Sequence, residues 1–369
     1  METAENIMNE TRFDTVREKI NATDQKLLDL LNARAKLSLE VGRIKADCGT
    51  NIFKPFREKE LLESLAEKNP GPLPDDHLLA IYTEILSSSR RLQRPQSVAY
   101  LGPEGTFSYL AGVEYLGKSS EYIPMDCLRD VFAAVAENRT HLGVIPLENS
   151  LQGSVGQSLD LFLSFEVNIL AELFCRISHS LLGKCPDLNK IERVYSHPQA
   201  LQQCSAWLRA NIPQAKLFPV SSTAVAAGEA NMDEKGAAIG HFKLGSQNDL
   251  EIIRSGIEDL PDNWTRFLIL GREPSEDQGN RDKTSILFTL PDKPGSLVKA
   301  LQVLSGQGIN MTKLESRPLP FEKWKYVFFA DVQCDLTSRE YKQMLDELNS
   351  ACHSMRVLGS YPEGKQIRF

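Results

Sequence analysis

From Phe13 to Ile44 apolar or near-apolar residues fall at positions 13, 16, 20, 23, 27, 30, 37, 41 and 44, and Arg34 stands in that seam. The alternating three-and-four spacing is that of one long, coiled-coil-like helix. A guanidinium keeps its charge at any physiological pH, so on the buried stripe of a helix it needs an anionic partner. The expected partner is an anionic ligand. Lys45 follows 11 residues later, which at 100° per residue returns to within roughly 20° of the same face and lies about 16 Å along the axis. Two long cationic side chains can close that gap around a small dianion. Arg17 sits about 26 Å from Arg34 on the same rise, too far to share a metabolite within one straight helix. It either serves something else or arrives from a second chain.

The helical pattern continues to about residue 94, with a break between Cys48 and Pro55 and a turn in NPGPLPDD. A third helix carries His77, Leu78, Ile81, Ile85 and Leu92, with Asp75 or Asp76 placed to cap it. One long and two short helices leave the long seam exposed, so it is expected to pair with its counterpart in another chain. Beyond Arg94-Pro95-Gln96 short apolar runs such as SVAYLG, LGVIPL, GAAIG and TRFLILG alternate with helical stretches to residue 272, an α/β pattern. Residues 273–283 read as a linker, and residues 284–369 as βαββαβ.

At 369 residues two or three domains are expected. The net charge of −7 argues against nucleic acid as a main partner. No apolar run approaches a membrane span, the start METAENIMNE lacks a basic leader, and seven scattered cysteines look like reduced thiols, so a cytoplasmic protein is expected. No metal or organic cofactor is expected. YLGPEGTF lacks the three spaced glycines and later acid of a dinucleotide site. Cys175, four residues before His179, leaves a faint thiol-chemistry reading open.

In the first 95 residues R-E-K-I (17–20), A-R-A-K (33–36), E-V-G-R-I-K (40–45), F-R-E-K-E (56–60) and S-R-R-L-Q (89–93) resemble, in order and spacing, the all-helical class of chorismate mutase. The resemblance implies chorismate carboxylates on Arg34 and on Arg17 of another subunit, Lys45 and Gln93 donating to the ether oxygen, Glu58 on the ring hydroxyl, and Arg57 and Ser89 in support. Lys54 departs from it, occupying a position where members often carry an acid. From 96 to 272, YLGPEGTFSYLA, GVIPLENSLQGSVGQ, YSHPQALQQC and NWTRFLIL resemble prephenate dehydratase. That implies two α/β subdomains, like those of periplasmic solute-binding proteins, closing on prephenate. Thr265 would be a positioned donor or proton conduit, Arg266 a carboxylate partner, and Thr106, Glu148, Asn149, Ser150, Ser196 and Gln203 the lining. His197 would orient the substrate with no covalent intermediate. DKPGSLVKAL and LESRP resemble the phenylalanine-binding ACT regulatory module, of ferredoxin-like βαββαβ fold. Gly295, Ser296, Leu297 and Val298 would hold phenylalanine on one side, and Glu315, Ser316 and Arg317 on the other, between two modules of a homodimer or tetramer.

Together these imply a bifunctional chorismate mutase/prephenate dehydratase inhibited by phenylalanine. Two rival readings are a small-molecule sensor without turnover and a dehydratase whose helical arm only dimerises.

Overall fold

The computed structural model describes residues 2–275, 282–319 and 325–367, with side chains from residue 12 onward. Within the 273–283 linker, residues 276–281 lie outside the described residues. Three helices open the chain: α1 (Glu2–Cys48), α2 (Pro55–Glu67) and α3 (Asp75–Gln93). Proline at the first position starts α2, where its missing N–H costs nothing. The cap expected for α3 is corrected. Pro74 holds the N-cap position, and Asp75 and Asp76 lie in the first turn, where a carboxylate meets the positive end of the helix dipole.

The middle of the chain forms two lobes. The first contains β1 (Ser97–Leu101), α4 (Phe107–Leu116), β2 (Glu121–Met125), α5 (Leu128–Ala136), β3 (Leu142–Asn149), β4 (Gly153–Ser154), α6 (Gly156–Ser164) and β5 (Asn168–Arg176). The second contains β6 (Ser180–Gly183), β7 (Arg193–Ser196), α7 (Pro198–Gln203), α8 (Ser205–Asn211), β8 (Lys216–Pro219), α9 (Thr223–Asn231), β9 (Gly236–Gly240), α10 (Lys243–Gln247) and β10 (Glu251–Ser255). The chain then returns to the first lobe as β11 (Trp264–Gly271). Two crossings therefore join the lobes, 177–179 and 256–263. The second lobe is a sheet ordered β10-β6-β9-β7-β8, with apolar cores on both faces.

The C-terminal module follows as β12 (Lys283–Thr289), α11 (Ser296–Gly306), β13 (Met311–Pro318), β14 (Tyr326–Val332), α12 (Lys342–Ala351) and β15 (Ser354–Tyr361). Its antiparallel sheet, β13-β14-β12-β15, packs one face on α11 and α12. The other face meets the first lobe, where Phe329, Leu358 and Tyr361 join the core around Phe132 and Phe162. A final strand that the sequence did not suggest, β16 (Lys365–Ile367), pairs parallel to β5. The first-lobe sheet is thus ordered β16-β5-β11-β3-β1-β2, with β4 on β3.

The helical segment is seated on the first lobe. Phe53, in the loop between α1 and α2, is buried in the core beside Tyr115. Gly117, at φ +74°, ends α4 so close to α3 that a Cβ there would lie 2.5 Å from the Ser87 Cβ.

Candidate functional site

Three places collect the residues singled out above. In the helical segment α1 crosses α3 at Gly42, where a Cβ would lie only 2.8 Å from the Gln93 Cα. That close crossing lets Arg34, half-buried, donate through Nη1 to the Ser89 hydroxyl, which itself donates to the Ile85 carbonyl at 2.8 Å. Lys45 lies just beyond the crossing, its Nζ 3.0 Å from the Ile52 carbonyl oxygen. Arg34, Lys45, Ser89 and Gln93 are therefore gathered along one α1–α3 crossing.

Three expected members stand apart. Arg17 is exposed and pairs with Asp14 at 3.3 Å on its own helix. Arg57 is exposed at the start of α2. The Glu58 carboxylate, expected on a ring hydroxyl, is instead held by both oxygens to the buried Arg90 Nη1 at 2.5 and 2.6 Å. Arg90 also reaches the Leu116 carbonyl, so the pair fastens the helices to the first lobe.

In the two-lobed part the parallel strands β1 and β3 end at one edge, where ligands of such sheets bind. β11 runs antiparallel to β3, so its first residues reach the same edge. Asn149 and Thr265 are cross-strand partners there, and Asn149 Nδ2 donates to Thr265 Oγ1 at 3.0 Å and to Asn263 Oδ1 at 2.6 Å. The Asn149 Oδ1 accepts the Leu151 and Gln152 amides, which fixes the amide's orientation. Thr265 Oγ thus accepts a hydrogen bond and keeps its own hydrogen to give away. From the second lobe Gln199 Nε2 reaches Gln152 Oε1 at 2.5 Å, closing the cleft from across.

Several expected lining residues have structural duties. Thr106 caps α4, accepting the Tyr109 amide and donating to the Leu101 carbonyl at 2.8 Å. Ser150 ties β3 to Trp264, accepting its amide at 2.9 Å. Ser196 is fully buried and donates to the Ile239 carbonyl at 2.7 Å. Gln203 Oε1 lies 2.9 Å from His179 Nε2. His197, taken as an orienting group, caps α7 by accepting the Gln199 amide.

Two placements are corrected by strand alternation. Successive side chains of a strand face opposite sides, so Arg266 and Glu148, the neighbours of Thr265 and Asn149, face away from the cleft. Arg266 is 5% exposed and bound to Glu172 at 2.6 Å, to Asp331 and to the Tyr361 hydroxyl at 3.0 Å. It is not a partner for a prephenate carboxylate. Glu148 pairs with Lys313 at 3.0 Å and is likewise turned from Thr265.

Sequence reasoning missed Phe107 and His241, and noted His179 only for its spacing from Cys175. The Phe107 ring meets both histidines edge-on, each at 5.8 Å between centroids. Burial holds both imidazoles below their ordinary pKa, His241 down to about 3. Nothing in their spacing marks them as a group, because three separate segments bring them together. Asn263 was within the quoted NWTRFLIL, yet only the fold reveals its bond to Asn149. Cys175 is fully buried, and that burial pushes its thiol well above the ordinary range, so the thiol reading lapses.

In the C-terminal module Gly295, at φ +83°, turns the chain into α11. Ser296 and Leu297 line a cavity of about 340 Å³ with Tyr326, Phe328, Lys325 and His353, a size suited to a single amino acid. Val298 is 56% exposed and outside it. Ser316 is exposed on the edge strand, whereas Glu315 and Arg317 face the first lobe, Glu315 on Ser154 and Arg317 on Asp160 at 3.0 Å. They do not line that cavity.

Family models match three consecutive stretches: chorismate mutase type II over residues 16–94, prephenate dehydratase over 98–275 and the ACT domain over 284–352. A bifunctional chorismate mutase/prephenate dehydratase of Aquifex aeolicus is 40% identical, covering 94% of this chain and 97% of that protein. The protein so described from Escherichia coli K12 is 34% identical, covering 94% and 95%. Among solved structures, prephenate dehydratase of Staphylococcus aureus Mu50 has a TM-score of 0.64 at 30% identity, covering 72% of this chain and 100% of that one. Prephenate dehydratase of Arthrobacter aurescens, solved in complex with L-Phe, has a TM-score of 0.66 at 28% identity, covering 72% and 90%.

Proposed function

The chain belongs to the family of bifunctional chorismate mutase/prephenate dehydratases, and on that premise we propose which residues perform each step. It rearranges chorismate to prephenate and converts prephenate to phenylpyruvate, an isomerase and a lyase in one polypeptide. For the rearrangement, Arg34, braced by Ser89, takes one carboxylate of the substrate, and Lys45 and Gln93 meet the ether oxygen as charge develops there. Arg17 of a second copy takes the other carboxylate. What supports this is the exposure of Arg17 together with the exposed apolar seam of the same helix.

For the dehydratase step the observation that carries the reading is the Asn149–Thr265 hydrogen bond at the sheet edge. As the ring carboxylate leaves as carbon dioxide, its bonding pair moves into the ring and expels the hydroxyl opposite. Thr265 passes its proton to that hydroxyl, which departs as water, and the Thr265 oxygen takes a proton back from solvent. Asn149 sets the direction of the donor. Phenylalanine, which accompanies the Arthrobacter relative, would occupy the Ser296–Leu297 cavity, its ring against Phe328 and Tyr326. A homodimer or tetramer in the cytoplasm is the assembly that goes with this reading, of which only the second copy is required by the shared mutase site.

Thr265→Ala tests it. Phenylpyruvate formation should fall on the order of a hundredfold or more, while prephenate still binds and chorismate is still consumed. Undiminished turnover would remove Thr265 from the mechanism.

A further inference from the structure

Asn149 and Thr265 form one rung between β3 and β11, and the adjacent rung is Glu148 and Arg266. In the regulatory module Lys313 and Asp331 likewise form one rung, between β13 and β14. These two outward rungs face each other with complementary charge: Lys313 reaches Glu148 at 3.0 Å, and Asp331 reaches Arg266 at 2.5 Å. The module therefore grips both strands at the position next to the reacting pair.

The grip is built to be rigid. Glu172, fully buried, takes the Arg266 Nε at 2.7 Å and the Lys283 Nζ at 2.7 Å, so two cations and two carboxylates balance within the buried part. A buried ion cluster tolerates little displacement, since separating any pair exposes an uncompensated charge to a low-dielectric interior. β14 also supplies Phe328 to the cavity assigned to phenylalanine, three residues before Asp331. One strand thus touches both the effector cavity and the grip.

We propose that Arg266 and Glu148 are positioning residues for the dehydratase step, held by the Lys313/Asp331 rung of the regulatory module so that the module sets the geometry of Asn149 and Thr265. The inference rests on the assignment of Thr265 above. Effector binding that shifts β14 is read out at Thr265 through a single residue step along each strand. A misplacement on the order of 1 Å is enough to cost about a hundredfold in rate.

The test uses the full chain with Lys313→Ala, Lys313→Arg and Arg266→Lys. Both activities are measured along with phenylalanine inhibition and the thermal midpoint. In Lys313→Ala the dehydratase kcat should fall on the order of tenfold with little change in KM, the smaller loss reflecting a pair that is partly solvated. Mutase kcat should hold, phenylalanine should inhibit less, and Lys313→Arg should restore most of the loss. Arg266→Lys should lower dehydratase kcat further. Should that buried substitution fail to fold, the Lys313 pair decides alone. Unchanged dehydratase kcat and inhibition in folded Lys313→Ala would overturn the proposal, as would parallel loss of both activities with a lower midpoint. Full turnover by Thr265→Ala would instead count against the residue assignment, while the Lys313 result would still report coupling.

Discussion

An alcohol is a weak acid near neutral pH, so a threonine can assist a leaving hydroxyl only if something else fixes its direction and its neighbours exclude water. Asn149 supplies the first. Elsewhere in the two lobes the half-buried Phe107 ring packs edge-on against His179 and His241. Those histidines give a pH prediction. Burial first, then Lys243 and His179, hold His241 near 3 rather than the ordinary 6.5, and its Nδ1 accepts the Lys243 amide. The unfolded chain therefore binds a proton that the folded chain refuses, so this stability is fully present above about 6.5 and is lost as pH falls towards 3. Thermal midpoints should drop on acidification through that window. His241→Asn, which keeps an acceptor for the amide, should drop less, and an identical slope would show that His241 is not responsible. At this scale the sequence named the right pairs of neighbours but not which of each pair matters. Glu148 and Asn149 were both expected as lining, and Thr265 and Arg266 as donor and carboxylate partner, whereas period-two alternation admits only one residue of each pair to the cleft. The grouping of the histidines with Phe107 was illegible because His179 lies in a crossing, His241 in the second lobe and Phe107 in the first.

Helix α1 is the element with unfinished business. Phe13, Ile20, Leu27, Leu30, Leu37 and Ile44 are all more than half exposed along it. Burying one such side chain contributes about 1.5–3 kcal/mol, so a second copy laid along the seam would be held strongly. If the mutase takes Arg17 from across the seam, as proposed above, Leu30→Lys should dissociate the assembly in sedimentation, abolish the mutase and leave the dehydratase turning over. A mutase that remains active as a monomer would exclude the shared site. The three helices and most of the strands were legible because their periodicity is strong. The start of α3 was misread, since proline and a pair of aspartates signal a boundary without saying which residue caps it. β16 was invisible, as three residues carry no period; its strand character comes from pairing with β5.

Across the whole molecule, no segment works in isolation. Phe53 of the helical segment fills a dehydratase core, Arg90 fastens α3 to α4, and the regulatory sheet closes the other side. Phenylalanine binding should therefore protect more than its own module. At a hundred times its Kd it would add about 2.7 kcal/mol to the unit it binds, and the dehydratase lobes should melt later with it. Leu297→Asp should remove both that shift and the inhibition; a shift that survives would place the effector elsewhere. The order of three functions was legible in local motifs, whereas their contacts were not, because residues such as Lys313 and Asp331 carry no signature of what they touch. The short strand β16 has a last consequence. It carries the chain out of the regulatory module and back into the dehydratase sheet, beside β5. In topology the module is an insertion with two attachments, not a pendant on a tether. It cannot swing free, and a cut near residues 362–364 would remove one of its two chain attachments, leaving it held by the shared core and the buried ion cluster without altering one contact residue in either site.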